Sequence, residues 1–277
     1  SQFGDMHTDI TRAFRNYHLF GFTGTPIFAE NASSSGKANL RTTEQAFGDQ
    51  LHSYTIVDAI RDKTVLPFRV DYLNSFRVRD GIDNHDVEGI DTDSAYMNPQ
   101  RISTVVSYIL EHFDQKTKRH ASFQYKERRV NGFNSLFATS SIKAARAYYQ
   151  EFKRQQADLP EARRLSVGII YSYAPNAEAP GTGLLSEESM DPSALSQDDR
   201  AFLDEAIADY NKQFGASFGT DASGFEGYYT SLSTALAERR IDLVIVVDMF
   251  LTGFDSKSLN TLWVDKNLRA HGLIQAF

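Results

Sequence analysis

Apolar residues follow two regular patterns in the second half of the chain. Four apolar runs rich in β-branched and aromatic residues predict buried strands over residues 133–138, 165–173, 241–247 and 259–264. Between them, apolar residues at helical spacing predict helices over 142–152, 198–214 and 225–239. Strands that alternate with helices predict a parallel α/β sheet, whose ligand sites lie at the carboxyl ends of its strands. The stretch 174–195 is too long for an ordinary αβ loop and predicts an inserted segment.

The first hundred residues have a less regular pattern. Apolar residues at helical spacing predict a helix from Met6 to Tyr17, and the apolar run 18–22 predicts a strand that stops at a Thr-Gly-Thr-Pro turn. A Ser/Gly/Asn-rich stretch at 31–43 predicts a flexible connection at a domain boundary. Further along, the pattern predicts a helix through Ile56, Ala59 and Ile60, a strand over 65–70 and a helix through Val105, Val106, Ile109 and Leu110.

The composition is that of a protein with a full hydrophobic core. The chain has 277 residues, of which 41% are hydrophobic and 23% charged, and this excludes a disordered, collagen-like or low-complexity chain. It has no cysteine, which excludes disulfides and cysteine metal sites and fits a reducing compartment. The apolar runs are far shorter than the ~20 residues of a membrane-spanning helix. We therefore expect a soluble, cytoplasmic protein without a membrane partner.

The net charge of −7 conceals two opposed segments. Residues 80–93 contain six acidic and no basic residues, whereas 116–129 contain six Lys/Arg and one Glu. The acidic segment lacks the alternate-position ligands and central glycine of a calcium loop, so we interpret it as a solvated loop. The basic segment is a candidate DNA-facing surface, although a solvated surface is the favoured interpretation.

Two stretches resemble nucleotide-binding motifs without their required residues. Around Gly36-Lys37, Asn31 and Ala38 replace the leading glycine and the Ser/Thr of a phosphate loop. Asp204-Glu205 resembles the metal-holding acidic box of nucleoside triphosphatases, but it lies inside an amphipathic helix. We therefore predict that these carboxylates are exposed on a helix face.

Three clusters lie where predicted strands end. Thr23-Gly24-Thr25 places two hydroxyls at a turn. Thr139-Ser140-Ser141 ends a buried strand and opens a helix, so it can meet a phosphate or act as an ordinary N-cap. The stretch 247–255 follows another buried strand and ends with Asp255, which is suited to accept hydrogen bonds from a ribose or a base-like ligand. Taken singly, each cluster is more often structural than functional.

Taken together and in this order, the clusters resemble a known family. The residues Phe20-Gly-Phe-Thr-Gly-Thr-Pro-Ile-Phe28 and Asp248-Met-Phe-Leu-Thr-Gly-Phe-Asp255 are followed by Leu262-Trp-Val-Asp-Lys-Asn-Leu268 and His271-Gly-Leu-Ile-Gln-Ala-Phe277. They are similar to the motor region of the restriction (R) subunit of type I restriction–modification enzymes, which are superfamily 2 helicase-like translocases of double-stranded DNA. The resemblance spans essentially the whole chain.

The resemblance implies a role for each cluster. Thr23, Gly24 and Thr25 resemble motif III, which couples nucleotide state to DNA contact. Thr139, Ser140 and Ser141 resemble motif IV and, with Thr252 of motif V, are expected to contact DNA. Gly253 and Asp255 of motif V are expected to face the nucleotide, as is Gln275, which resembles the opening residue of motif VI. The resemblance implies no metal ligand within this chain.

The resemblance also implies a domain organisation. Residues 1–30 would end a first RecA-like domain, 31–65 would form a linker and connecting helix, and 66–277 would form a second RecA-like α/β domain that stops before the end of motif VI. The complete subunit would bind ATP and Mg²⁺, translocate duplex DNA and work with methylation and specificity subunits. The phosphate loop, the acidic box and the nuclease domain are expected upstream, so the chain alone is expected to hold neither ATP nor Mg²⁺ and to be inactive.

Two other functions remain open on the sequence. One is a noncatalytic interaction or regulatory domain with a degenerate RecA-like core. The other is a different superfamily 2 DNA translocase, such as a chromatin-remodelling or DNA-repair motor, which predicts a different sequence around 263–268.

Overall fold

A computed structural model of the chain describes residues 5–24, 26–29, 41–73, 96–171, 196–247 and 256–266. These residues fall into two compact units, the first within 5–73 and the second formed by 96–171, 196–247 and 256–266. The sequence-based interpretations of 31–38, 80–93 and 174–195 concern stretches outside the described residues. Within the part of the chain that the structure describes, none of the helices is both long enough and apolar enough to cross a membrane.

The second unit contains most of the regular structure. Its elements in chain order are α4 (Pro99–Lys116), β1 (Ser122–Tyr125), β2 (Arg128–Asn131), β3 (Asn134–Thr139), α5 (Ile142–Gln156), β4 (Val167–Tyr171), α6 (Gln197–Phe214), α7 (Ala222–Ala237), β5 (Leu243–Val247) and β6 (Leu259–Asp265). A short 3₁₀ helix, Glu161–Arg163, precedes β4. The four strands and the helices predicted from the second half of the sequence are confirmed, with ends that shift by a few residues.

The central sheet has four parallel strands in the order β4, β5, β3, β6. Every residue of β3 and β5 is buried, as expected for the two inner strands of a covered parallel sheet. This arrangement confirms the predicted fold class, a RecA-like α/β domain with a parallel sheet flanked by helices. Because all four strands run the same way, the ends of β3, β5 and β6 share one edge of the sheet, which we call the carboxyl edge; the opposite edge is the amino edge.

Helices cover both faces of this sheet. Phe137 packs edge-on against Tyr148 and Phe152 of α5, and the register places Ile245 and Ile169 in the same row across the sheet. The neighbouring row, which contains Gly168, faces the opposite side of the sheet, where α7 packs. A Cβ on Gly168 would lie 2.8 Å from Leu232 of α7. The apolar core is therefore divided between an α5 face and an α7 face.

Local capping explains where the helices begin. Ser196 is the N-cap of α6, since its hydroxyl accepts a hydrogen bond from the Asp199 backbone N–H at 3.1 Å. Ser141 does the same for α5, accepting from the Ala144 N–H at 3.1 Å. The antiparallel hairpin β1–β2 returns to the sheet through Gly132, whose φ of +59 and close approach to the Arg119 backbone exclude a side chain.

The first unit contains short helices only among its described residues. They are α1 (Asp5–Ala13), α2 (Thr43–Phe47) and α3 (Ile56–Arg61). The predicted helix from Met6 to Tyr17 thus ends early. The strands predicted over 18–22 and 65–70 are wrong for this structure, because neither stretch joins a ladder with a described residue. A strand needs a neighbour to satisfy its backbone groups, and the apolar side chains here stay exposed, Phe22 at 96% and Leu66 at 85%.

Candidate functional site

The carboxyl edge brings the ends of β3 and β5 together. The two strands pair in parallel, with Ala138 opposite Val246. Thr139 is fully buried, and its hydroxyl donates a hydrogen bond to the Val246 carbonyl at 3.3 Å. This hydrogen bond joins β3 to β5 near the end of β5, and residues 248–255 follow β5 in the sequence.

The next two residues open α5 at the same edge. The Ser141 hydroxyl is occupied as the N-cap, whereas Ser140 is exposed. The first backbone N–H groups of a helix lack intrahelical acceptors, and together with the helix dipole they favour an anion at this end. Of the three predicted motif IV residues, Ser140 is thus the one that presents its side chain to solvent.

The other predicted site residues divide between the first unit and stretches outside the described residues. Thr23 is half-buried and Gly24 is exposed, and a Cβ on Gly24 would meet no atom within 4 Å. Thr25, Thr252, Gly253, Asp255 and Gln275 lie outside the described residues. The roles assigned to all of these residues stay predictions.

The end of β6 carries a buried ion pair that the sequence does not reveal. Asp265 is the last residue of β6. Both of its carboxylate oxygens accept hydrogen bonds from the guanidinium of Arg101, in the first turn of α4, with Nη1 to Oδ2 at 3.0 Å. The side chains of Arg101 and Asp265 are only 6% and 12% exposed. The guanidinium also lies 4.6 Å from the centre of the Tyr96 ring and donates to the Tyr96 carbonyl at 3.3 Å. The pair therefore joins α4 to the carboxyl edge.

Tyr148 of α5 completes this group, which we call the β6 clamp (Arg101, Tyr148 and Asp265). Its hydroxyl donates to Asp265 Oδ2 at 2.5 Å and accepts from Arg101 Nη1 at 3.1 Å. Burial raises the pKa of Tyr148 well above its ordinary value, and the Asp265 carboxylate adds to the rise, so the phenol stays a neutral donor. All three side chains hydrogen-bond to one another. This arrangement suits a role in positioning α4, α5 and β6 rather than direct contact with a substrate.

Sequence reasoning missed Arg101 and Tyr148. They are 164 and 117 residues away from Asp265, and neither lies in a recognisable motif. The one available signal was Asp265 itself, a carboxylate at the end of an apolar strand within the block 262–268. A carboxylate in that position needs a cationic or hydrogen-bonding partner, but the pattern does not say which residue supplies it.

The acidic pair on α6 behaves as the sequence predicts. Asp204 and Glu205 are exposed, and they pair with Thr220 and Lys153 at 2.6 and 3.2 Å. This confirms helix-face carboxylates. Across the residues that the structure describes, no group of three or more His, Asp or Glu side chains is placed to hold a metal ion.

Part of the basic segment 116–129 contacts carboxylate and carbonyl oxygens of the same unit. Arg119 pairs with the buried carboxylate of Asp242, Lys126 with Glu238 at 3.1 Å, and the Arg128 guanidinium with the Glu238 carbonyl. The segment surrounds the hairpin β1–β2, which joins the sheet at its amino edge. Internal pairing thus accounts for part of its charge.

Comparisons with known proteins place these features in a family context. A family model described as type I restriction enzyme subunit R domain 3 matches residues 131–277, and one described as SWI2/SNF2 ATPase matches residues 1–100. Type I restriction enzyme endonuclease subunits of Staphylococcus aureus (strain MRSA252) and Staphylococcus saprophyticus are each 40% identical over all of this chain and 27% of their own length. A putative type I restriction enzyme endonuclease subunit of Methanocaldococcus jannaschii is 23% identical over all of this chain and 25% of its own length. The chain thus spans about a quarter of the length of these relatives.

Proposed function

Because this chain belongs to the family of type I restriction enzyme R subunits, we propose that it forms part of an ATP-driven motor that translocates duplex DNA before cleavage. In this proposal the second unit is the second RecA-like domain of the motor, and the first unit holds the end of the first RecA-like domain and the linker. Nucleotide would bind between the two RecA-like domains, and its hydrolysis would drive their relative motion along DNA.

One observation carries the proposal: the structure places the ends of β3 and β5 side by side. The hydrogen bond from Thr139 to Val246 joins the first residue of the stretch that resembles motif IV to β5, the strand that precedes the stretch resembling motif V. Both stretches therefore start at one edge of the sheet, the edge where open α/β sheets bind ligands. The residues at which the two stretches start are more than 100 positions apart in sequence and adjacent in the sheet, which a shared DNA and nucleotide surface requires.

The exposed groups at this edge fit a phosphate. Ser140 offers a hydroxyl next to the amino end of α5, and such groups contact the DNA backbone without reading its sequence. We assign the DNA contact to Ser140 and the α5 N-terminus, together with Ser141 and Thr252. Thr139 acts by positioning, since its hydroxyl is held by β5. Sequence-independent contact suits a motor that must move along any DNA.

Gly253, Asp255 and Gln275 would face the nucleotide. ATP with Mg²⁺ supplies the energy of phosphoryl transfer, and the family arginines that follow Gln275 would stabilise charge on the γ-phosphate. Among the described residues the edge offers hydroxyl and N–H donors but no carboxylate cluster for Mg²⁺. The described residues at this edge therefore fit a phosphate better than they fit the metal, which we assign to the rest of the subunit.

The proposal includes the partners of the complete enzyme. Site recognition would belong to the specificity and methylation subunits, because backbone contacts carry no sequence information. Such an assembly acts on DNA in the cytoplasm.

Replacing Asp255 tests the proposal. In the complete R subunit, Asp255→Ala should weaken nucleotide affinity roughly tenfold or more and lower DNA-stimulated ATPase activity, because it removes a charged hydrogen-bond acceptor. Asp204→Ala, which removes an exposed carboxylate from α6, is the matched control and should leave both quantities near wild type. If Asp255→Ala matches this control, the nucleotide-facing assignment is wrong and a regulatory RecA-like domain becomes the better account.

The chain by itself gives a second test. Purified as the 277-residue polypeptide, it should not hydrolyse ATP with or without duplex DNA, because the sequence supplies no phosphate loop for the β- and γ-phosphates. Phosphate release would be measured at saturating ATP and Mg²⁺ against a no-protein blank. Turnover that duplex DNA stimulates in the pure chain would contradict the assignment of the phosphate and metal sites to other parts of the subunit.

A further inference from the structure

A cleft opens at the amino edge, at the other end of the strands from Ser140 and the α5 N-terminus. It has a volume of about 460 Å³, and six residues line it: Gln124, Tyr125, Lys126, Ala237, Ser256 and Lys257. We call it the amino-edge cleft. The hairpin β1–β2 forms one wall, and the end of α7 and the chain entering β6 form the other.

Hydrogen bonds hold both walls in place. On the hairpin side, Gln124 Nε2 donates to the Lys126 carbonyl at 2.9 Å, and Lys126 Nζ reaches Glu238 at 3.1 Å. On the other side, the buried Ser258 hydroxyl donates to the Leu236 carbonyl at 2.9 Å and lies 3.0 Å from the Ser256 hydroxyl. The cleft is thus built from fixed backbone rather than from two loose surfaces.

The surroundings of the cleft are strongly basic. The three stretches that frame it, 114–131, 238–242 and 256–258, contain nine Lys/Arg and four Asp/Glu, whereas the whole chain has a net charge of −7. Two of the four acidic side chains each pair with two cations: Asp242 binds Arg119 and Arg239, and Glu238 binds Lys126 and Arg240. A local excess of positive charge remains at this edge.

Lys257 is the lining lysine without a carboxylate partner among the described residues. It is exposed and forms no ion pair with any residue that the structure describes. Lys126 keeps its exposed ammonium at the other side of the cleft and shares only one carboxylate with Arg240. The two lysines therefore line one opening with their charge incompletely neutralised.

The lining chemistry is that of a phosphate contact. Lysine, glutamine, serine and tyrosine side chains are all common partners of backbone phosphate oxygens, and five of the six lining residues belong to these types. A protein partner is normally anchored by large apolar side chains in a dry pocket, whereas Ala237 is the one aliphatic residue in this lining. The cleft thus suits a polyanion with regularly spaced phosphates better than a protein surface.

We propose that the amino-edge cleft is a second contact for the phosphate backbone of duplex DNA, in addition to the contact assigned to Ser140 and the α5 N-terminus at the carboxyl edge. The inference rests on the proposed function only in taking duplex DNA as the ligand. The two edges are ~20 Å apart, since a strand of six residues rises about 3.3 Å per residue. A duplex held at the amino edge is therefore bound away from Ser140 and anchors the second unit to DNA.

The salt dependence of duplex binding tests the proposal. The probe is a fluorescein-labelled duplex of mixed sequence, bound by the full 277-residue chain and followed by anisotropy over a NaCl series. Each lost phosphate contact should reduce the slope of log K against log salt by about 0.9. Lys257→Ala should thus lower affinity roughly five- to tenfold at about 0.1 M salt, and Lys126→Ala/Lys257→Ala should lower it further and reduce the slope by nearly 2.

Three further variants distinguish an effect of charge in the cleft from an effect of the overall charge of the protein. Lys212→Ala removes an exposed lysine from the last turn of α6, outside the cleft, and should stay within about twofold of wild type. Lys257→Arg should retain binding because it keeps the charge. Glu238→Gln should strengthen binding, since it frees Lys126 from its carboxylate.

The outcomes decide between DNA and other anions. Unlabelled duplex should displace the probe at concentrations where inorganic phosphate, or polyglutamate of equal charge, does not. Equal displacement by polyglutamate would assign the cleft to an acidic protein partner and overturn the proposal, and displacement by millimolar phosphate would reduce it to a small-anion site. Wild-type chain that fails to bind the duplex, or lysine variants that match Lys212→Ala, would also overturn it. Asp255→Ala is scored by nucleotide affinity and ATPase activity of the complete subunit, whereas the lysine variants are scored by duplex binding of the chain, so either proposal can fail without the other.

Discussion

Arg101→Met should lower the free energy of unfolding of the second unit by about 3–5 kcal/mol, the cost of leaving one charge of a buried pair uncompensated. Asp265 is only 12% exposed and would keep just the Tyr148 hydroxyl as a partner within the β6 clamp. Urea unfolding followed by tryptophan fluorescence measures the effect directly, because Trp263 is the chain's one tryptophan and is buried in β6.

Two comparisons make this result specific to the β6 clamp. Arg154→Met removes an arginine that is 66% exposed from its pair with Glu151 on α5, and it should lower the free energy of unfolding clearly less than Arg101→Met does. Arg101→Met/Asp265→Asn should recover much of the lost stability, since it removes the stranded charge. If Arg101→Met is no more costly than Arg154→Met, the buried pair does not tie α4 to the sheet in the way its geometry indicates.

Asp242→Asn should lower the free energy of unfolding by about 3 kcal/mol near neutral pH, because it leaves two arginines without their shared carboxylate. Asp242 is 7% exposed at the start of β5. Its Oδ1 binds the guanidinium groups of Arg119 and Arg239, and its Oδ2 accepts from the Ser166 N–H at 2.9 Å. These contacts join the hairpin region, β4 and β5 at the amino edge.

The same variant should change the acid sensitivity of the fold. Burial by itself would raise the pKa of Asp242, but the charges of Arg119 and Arg239 outweigh burial and hold the pKa below the ordinary value of 3.8. A carboxylate with a lowered pKa stabilises the fold fully above that ordinary value, and the stabilisation is lost as pH falls through the lower, folded-state pKa. Wild type should therefore lose stability as pH falls below about 4, and Asp242→Asn should lose less.

The measurement is the difference between the two proteins. Urea midpoints of wild type and Asp242→Asn would be compared from pH 7 down to pH 3. Glu151, whose pKa the Arg154 hydrogen bond lowers to about 2, contributes equally to both proteins and cancels. Parallel pH profiles for the two proteins would show that the carboxylate of Asp242 is not the acid-sensitive group.

The candidate site was predictable as far as it follows from strand ends. A buried apolar strand followed by hydroxyl residues and a helix is a local pattern, so the Thr139–Ser141 junction was visible in sequence. The sequence did not show which of the three hydroxyls is buried, which caps the helix and which is exposed. Thr139 is held by β5, Ser141 caps α5 and Ser140 is exposed, and each of these outcomes depends on the conformation of the backbone around it.

The first unit shows why local pattern fails where pairing is required. The runs 18–22 and 65–70 have the apolar content of strands, but among the described residues no neighbouring strand supplies a ladder. A helix satisfies its backbone groups within one segment, whereas a strand depends on a second segment, often one far away in sequence. The helix through Ile56 and Ile60 was accordingly found, and the two strands were not.

The sequence by itself determined the four strands of the central sheet, the helices between them and the family of this protein, because β-branched runs, helical spacing and motif order are properties of consecutive residues. Only the tertiary structure decided the partners of the charges. Asp265 meets Arg101 and Tyr148 across more than 100 residues, Asp242 meets Arg119, and Lys126 and Lys257 come to line one cleft. Ion pairs form only between charges a few ångströms apart. These contacts therefore exist only once the folded sheet has brought segments that are distant in sequence together at each of its edges.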